Sequence, residues 1–140
     1  MFSVLRFLLL SAIVLAADAV RAVELAVIVH PDCRVAHLTR EQVAHIFLGR
    51  VKSLPSGEPV SVMDTVPQRE PFYRTVVGKG LNEINAYWAR LRFSGRTQPP
   101  LQMQDARSVI ERVANNRGAI GYVEASLVDK RVRVVMNIEY

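Results

Sequence analysis

Residues 64–69 carry side chains of the types that hold small anions. Thr65 offers a hydroxyl, Gln68 an amide and Arg69 a guanidinium, between a predicted strand and a predicted helix. Ligands of open α/β sheets lie beyond the carboxyl ends of strands, and the free N–H groups of a first helical turn favour anions. We therefore predict an anion contact at Thr65, Gln68 and Arg69; the alternative is an ordinary surface turn.

A second loop has similar chemistry. Ser94, Gly95, Arg96 and Thr97 combine two hydroxyls, a flexible backbone position and a guanidinium, and we predict this loop as the second choice for the same anion. Further arginines make the second half of the chain basic, for which a solvated helix face is the ordinary explanation. They are Arg90, Arg92, Arg107, Arg112 and Arg117.

Residues that could catalyse a reaction or hold a metal form no recognised pattern. His30, Asp32, Cys33 and His37 are close in sequence, but their spacing matches no known ligand set. The sequence contains no nucleophile-elbow, zinc-protease, phosphate-loop or dinucleotide motif. We therefore predict a protein that is not an enzyme, with no catalytic residue, metal or cofactor.

Composition indicates a single globular domain. The chain has 140 residues, of which half are apolar and 22% are charged. One cysteine excludes a disulfide framework. The net charge of +5 favours an anionic partner, and nucleic acid is the first candidate for a small basic protein.

The N-terminus argues against nucleic acid because it predicts export. A positive start precedes an apolar run over residues 7–17, which is the length of a signal-peptide core and too short to cross a bilayer. Small residues then permit cleavage after Ala19 or after Ala22, and we prefer Ala22. The prediction is a signal peptide over residues 1–22 and a periplasmic domain over residues 23–140; an uncleaved anchor is the alternative.

Hydrophobic spacing predicts alternating strands and helices. Apolar runs predict strands over residues 25–29, 60–63 and 119–123, and apolar residues that alternate with more polar ones predict a half-exposed strand over residues 132–140. Apolar residues three and four apart predict four helices, beginning at a capping box of Thr39 and Gln42, near Pro67 and Pro71, at Asn82 and at Asp105. The order β-α-β-α-α-α-β-β predicts an α/β or α+β sandwich with a mixed sheet. Phe47 and Trp88 lie on apolar helical stripes, so we predict both in the core.

Several segments follow one another in an order typical of one family. They are LTREQVAHIFLGR over residues 38–50, Phe72-Tyr73, AYWARL over 86–91, FSG over 93–95 and GAIGYV over 118–123. Together they resemble the short, single-lobe phosphate ABC transporter substrate-binding proteins, which have a PBP-like domain. The resemblance implies an α/β fold, a single lobe of the type II periplasmic-binding-protein fold, with a mixed sheet flanked by helices. It also implies phosphate or another small oxyanion as ligand and a membrane transporter as partner.

The chain departs from that family at its phosphate motif. In the family an arginine precedes a Ser-Gly-Thr turn, and alignment on Phe72 puts Val66, Pro67 and Gln68 at the turn and Val62 near the arginine. Pro67 has no N–H to donate. The resemblance therefore implies that the fold carries over, whereas tight phosphate binding does not.

Two functions remain open at this point. The first is an exported, non-catalytic solute-binding protein with weak oxyanion binding, and no nucleic acid as partner. The alternative is a periplasmic interaction or sensor module that docks on a transporter, porin or sensor kinase without tight ligand binding. A full binding protein of this class has two lobes and needs about twice this length, so a homodimer would rebuild a two-sided cleft.

Overall fold

One five-stranded sheet organises the protein in the computed structural model, which describes residues 23–95 and 97–140. The predicted signal peptide and Arg96 lie outside the described residues. The strands are β1 Glu24–Val29, β2 Ser61–Thr65, β3 Leu101–Met103, β4 Ala119–Glu124 and β5 Arg133–Glu139. They follow the order β3-β2-β4-β1-β5 across the sheet. β1 is antiparallel to both its neighbours, whereas β2 is parallel to β3 and β4, so the sheet is mixed.

Helices cover both faces of this sheet. They are α1 Arg40–Phe47, α2 Arg69–Val76, α3 Leu81–Ser94 and α4 Ala106–Ala114, with short 3₁₀ turns over Val66–Gln68 and Ala125–Leu127. α1, α2 and α3 share a core with Leu25 and Val27 of β1, and α4 shares a second core with Ala26 and Ile28. Among the described residues, no helix has the length and apolar character needed to cross a bilayer.

The predicted fold class is confirmed by these layers. β1 is buried on both faces, as its continuous apolar run predicts, because helices pack on each side of it. The aromatic side chains of the larger core pack closely, with the rings of Phe72 and Tyr122 stacked at 3.7 Å and those of Phe47 and Phe72 at 4.7 Å between centroids. Phe47 is fully buried and Trp88 is 5% exposed, so both are core residues, as predicted.

Two of the predicted helix caps are confirmed and one is wrong. The backbone N–H of Gln42 donates to Thr39 Oγ1 at 3.1 Å, and that of Thr39 donates to Gln42 Oε1 at 2.8 Å, which completes the capping box of α1. Asp105 caps α4 by accepting from the N–H of Ser108 at 2.8 Å. Asn82 does not cap α3, because the helix already begins at Leu81 and Gly80 occupies the cap position.

Two strands differ from their predictions. β3 was not predicted, because it has only three residues and its side chains are exposed or half-buried. The uniform alternation predicted for β5 is wrong, since Val27 pairs with Met136 while Ile28 pairs with Val134. The extra residue, Val135, forms a β-bulge and is itself buried. After the bulge, the alternate side chains of the strand face the opposite side of the sheet.

Candidate functional site

A cleft of about 630 Å³ lies at the carboxyl end of β2. The N-terminus of α2, one side of α3 and the segment that leads into β3 form its walls. Parallel strands β2 and β3 bring that segment beside β2, since Asp64 pairs with Gln102. The lining residues are Asp64, Arg69, Asn85, Trp88, Ala89, Arg92, Gln98, Pro99, Pro100, Leu101 and Gln102.

Asp64 is the centre of a buried hydrogen-bond network beneath this cleft. It is 1% exposed, and its Oδ1 accepts hydrogen bonds from the hydroxyls of Tyr73 at 2.7 Å and Tyr122 at 3.0 Å. Its Oδ2 accepts from Arg69 Nε at 3.2 Å. α2 supplies Tyr73 and Arg69 one helical turn apart, and β4 supplies Tyr122. A buried carboxylate with three donors is compensated in both charge and hydrogen bonding.

Burial dominates the electrostatics of this network. It raises the pKa of Asp64 above its ordinary value, against the opposing effects of the Tyr73 hydrogen bond and the nearby Arg69 charge. Burial and the neighbouring Asp64 carboxylate also raise the pKa of Tyr73 and of Tyr122. Both tyrosines therefore keep their hydroxyl protons and act as donors to Asp64 at neutral pH.

Arg69 is held in place at the wall of the cleft. Besides its bond to Asp64, its Nη2 donates to Asn85 Oδ1 of α3 at 3.2 Å, and only 12% of its side chain is exposed. A guanidinium has five N–H donors, so donors remain for a ligand. Arg92 of α3 also lines the cleft and is exposed to solvent. No other side chain in the described ranges pairs with its guanidinium.

Trp88 contributes an aromatic side chain to the wall of the cleft. Its indole Nε1 is buried, and nothing within residues 23–95 and 97–140 accepts its hydrogen bond. The same side chain also lines a second groove of about 410 Å³, bordered by Ile46, Phe47, Val51, Val60 and Val62. Trp88 therefore lies between the two concavities.

The first predicted anion segment has its side chains engaged within the protein. Thr65 is buried, and its hydroxyl donates to the backbone carbonyl of Tyr122. Gln68 Nε2 donates to Glu124 Oε1 at 3.4 Å. Of the three predicted residues, Arg69 lines the cleft.

No described residue of the second predicted segment lines the cleft that Arg69 lines. Ser94 Oγ donates to the carbonyl of Leu91 at 2.7 Å, and Gly95 ends α3 with a positive φ of 63°. Thr97 lines the second groove, and Arg96 lies outside the described residues.

Sequence reasoning missed Asp64, Asn85 and Trp88 as cleft residues. Asp64 directly follows the predicted strand over residues 60–63, so a carboxylate at a strand end was the available signal. Asn85 carries no comparable signal, because its role depends on α3 packing beside α2. The prediction of Trp88 as a core residue is confirmed, but its side chain also lines the cleft.

Comparison with solved structures gives the class of fold. A phosphate ABC transporter substrate-binding protein from Clostridium perfringens, solved with bound phosphate, is 24% identical with a TM-score of 0.65, and the match covers 81% of this chain and 45% of that one. An ABC-type phosphate transport receptor from Vibrio cholerae is 20% identical with a TM-score of 0.64, over 82% and 46% of the two chains. PstS from Borrelia burgdorferi is 16% identical with a TM-score of 0.55, over 81% and 47%.

The protein therefore has the fold of a single lobe of these periplasmic binding proteins, as the resemblance implies. The chain spans less than half the length of each of the three structures. No protein-family model matches the sequence. No curated protein matches it either.

Proposed function

We propose that this protein is a non-enzymatic solute-binding lobe that binds a small oxyanion in the cleft between Arg69 and Arg92 and works with an ABC importer. The observation that carries the proposal is the pair of guanidinium groups lining one cleft, on the fold of a protein solved with bound phosphate. Guanidinium groups match the geometry of phosphate and carboxylate oxygens.

The network beneath the cleft prepares Arg69 for this role. Asp64 and Asn85 hold its guanidinium through Nε and Nη2, so the remaining N–H groups keep one orientation without a ligand. Arg92 provides a charge that no described carboxylate neutralises. Fixed donors bind more tightly than mobile ones because less side-chain entropy is lost on binding.

We propose weak affinity, because Arg92 at the wall of the cleft is exposed to solvent. Solvent screens the charge pairing, and a Kd of about 1 mM corresponds to roughly −4 kcal/mol. Contacts of the anion with Thr65 and Gln68, and with the loop over residues 94–97, stay predictions.

Export is part of the proposal. The apolar run near the N-terminus and the small residues before Val23 support a signal peptide that is cleaved near Ala22. A periplasmic location is also where a solute-binding lobe would meet its importer. Mass spectrometry of the exported protein tests this, with Val23 as the expected first residue; an intact Met1 in the membrane fraction would contradict it.

Docking on another protein is the second candidate function. Phe93 of α3 is 95% exposed, and Arg90 and Arg92 flank it on the same helix. Exposed aromatic and arginine side chains are typical of binding hot spots. A transporter, a sensor protein or a second copy that supplies the facing wall would be the partner.

Isothermal titration with inorganic phosphate tests the oxyanion proposal. We expect a Kd of about 1 mM, and we expect Arg92→Ala to weaken binding at least fivefold. Arg90→Ala is the matched control, because Arg90 is exposed on the same helix and does not line the cleft. Equal weakening by both variants would indicate general charge attraction and contradict a site at the cleft.

A further inference from the structure

The cleft is larger than a free oxyanion requires. Its volume is about 630 Å³, whereas a tetrahedral oxyanion of five heavy atoms displaces on the order of three waters, or roughly 100 Å³. Bound alone, the anion would leave most of the cleft filled with water. A ligand that fills the space must carry further atoms beyond its charged group.

The lining of the cleft is divided between polar and apolar residues. Hydrogen bonds connect Asp64, Arg69 and Asn85 into one polar cluster. The apolar lining comes from Trp88 and Ala89 of α3 and from residues 99–101. The remaining lining residues, Arg92, Gln98 and Gln102, are polar, so the cleft offers an organic ligand polar groups and apolar surface side by side.

The apolar lining continues beyond the cleft. Trp88, Pro99, Pro100 and Leu101 also line the neighbouring groove, whose other walls include Phe47 and Val62. Leu101 is 46% exposed, and so it offers apolar surface to a ligand without rearrangement. Covering such surface stabilises a complex in proportion to the area removed from water.

We propose that the cleft binds an organic anion, in which an oxyanion head contacts Arg69 and Arg92 and an apolar body lies against Trp88 and Leu101. This inference rests on the proposed function and specifies its ligand class as an organophosphate or a similar amphiphilic anion. The indole N–H of Trp88 is buried and lacks an acceptor among the residues described.

Phenyl phosphate, inorganic phosphate and phenol separate the contributions of head and body. We expect phenyl phosphate to bind at least tenfold more tightly than inorganic phosphate, at matched pH and ionic strength, and phenol to bind more weakly than either. Trp88 is the only tryptophan in the sequence, so its fluorescence reports the contact directly. Calorimetry gives the affinities independently of fluorescence.

A pair of exposed leucines provides matched variants. Leu101→Ser should reduce the ratio between the affinities for phenyl phosphate and for inorganic phosphate at least threefold. Leu127→Ser should change neither, because Leu127 is 51% exposed and does not line the cleft. Both substitutions replace exposed side chains, so both variants should fold.

The outcomes distinguish this inference from the proposed function. Equal affinities for phenyl phosphate and inorganic phosphate would overturn the organic-anion inference and leave oxyanion binding standing. Binding of phenol as tight as that of phenyl phosphate would show an apolar site without an anion requirement. Binding of none of the three would overturn the oxyanion proposal together with the inference.

Discussion

Removal of the Tyr73 hydroxyl tests the Asp64 network with the smallest possible change. In Tyr73→Phe the ring stays in the core, while Asp64 Oδ1 loses a buried hydrogen bond of 2.7 Å. A hydrogen bond to a charged group contributes about 1.5–3 kcal/mol, against about 0.5–1.5 kcal/mol for a neutral pair. We therefore expect the free energy of unfolding to fall by about 2 kcal/mol at pH 7.

The stability that Tyr73→Phe loses should depend on pH. The Tyr73 hydrogen bond lowers the pKa of Asp64, so its loss raises that pKa further above the unfolded value. Because the pKa of Asp64 is higher in the folded state than in the unfolded state, folding favours the protonated carboxyl. This contribution to stability is complete below the pKa of the unfolded state, and it is lost as the pH rises through the pKa of the folded state. The penalty of Tyr73→Phe should therefore be larger at pH 7 than at pH 3.

Urea unfolding at the two pH values measures the penalty, with Tyr87→Phe as the matched control. The Tyr87 hydroxyl donates to the neutral backbone carbonyl of Leu48, so its loss should cost about 1 kcal/mol, with little dependence on pH. Equal penalties for the two variants at pH 7, together with no pH dependence for Tyr73→Phe, would refute a charged Asp64 at the centre of the network.

Three further predictions concern the core and the network. Trp88→Ala should destabilise the protein by about 3–5 kcal/mol in thermal or urea unfolding; a stable, fully folded variant would contradict the core assignment. Gly118→Ala should unfold the protein, because a Cβ would overlap the carbonyl oxygen of Pro59. Gly80→Ala should fold, because its Cβ would lie 3.6 Å from the nearest side-chain atom, and circular dichroism compares the two variants. The Asp64 carboxyl should titrate above its ordinary pKa of 3.8 by carbon-detected NMR, and a midpoint below that value would contradict its burial.

Local signals in the sequence were sufficient to predict most of the elements. The capping box of Thr39 and Gln42 marks the start of α1, and the continuous apolar run of β1 indicates burial on both faces. Such features act within a few residues, and so a sequence shows them directly. β3 and the Val135 bulge escaped prediction because both depend on a neighbouring strand.

The site was less predictable than the fold. Arg69 was predicted as an anion ligand, but its partners Asp64 and Asn85 come from two different elements that meet only in the folded chain. The hydroxyl of Thr65 is suited to an anion by type, yet burial directs it to the carbonyl of Tyr122. Residue type therefore indicated the chemistry, and packing decided which side chains face the cleft.

An NMR titration of the purified protein with inorganic phosphate tests the central claim most directly. Binding at the cleft predicts that the Trp88 indole N–H and the backbone amides of residues 89–92 and 98 shift together, with a common midpoint of about 1 mM. Shifts confined to other loops, or no shift at about 50 mM phosphate, well above that Kd, would contradict an oxyanion site between Arg69 and Arg92.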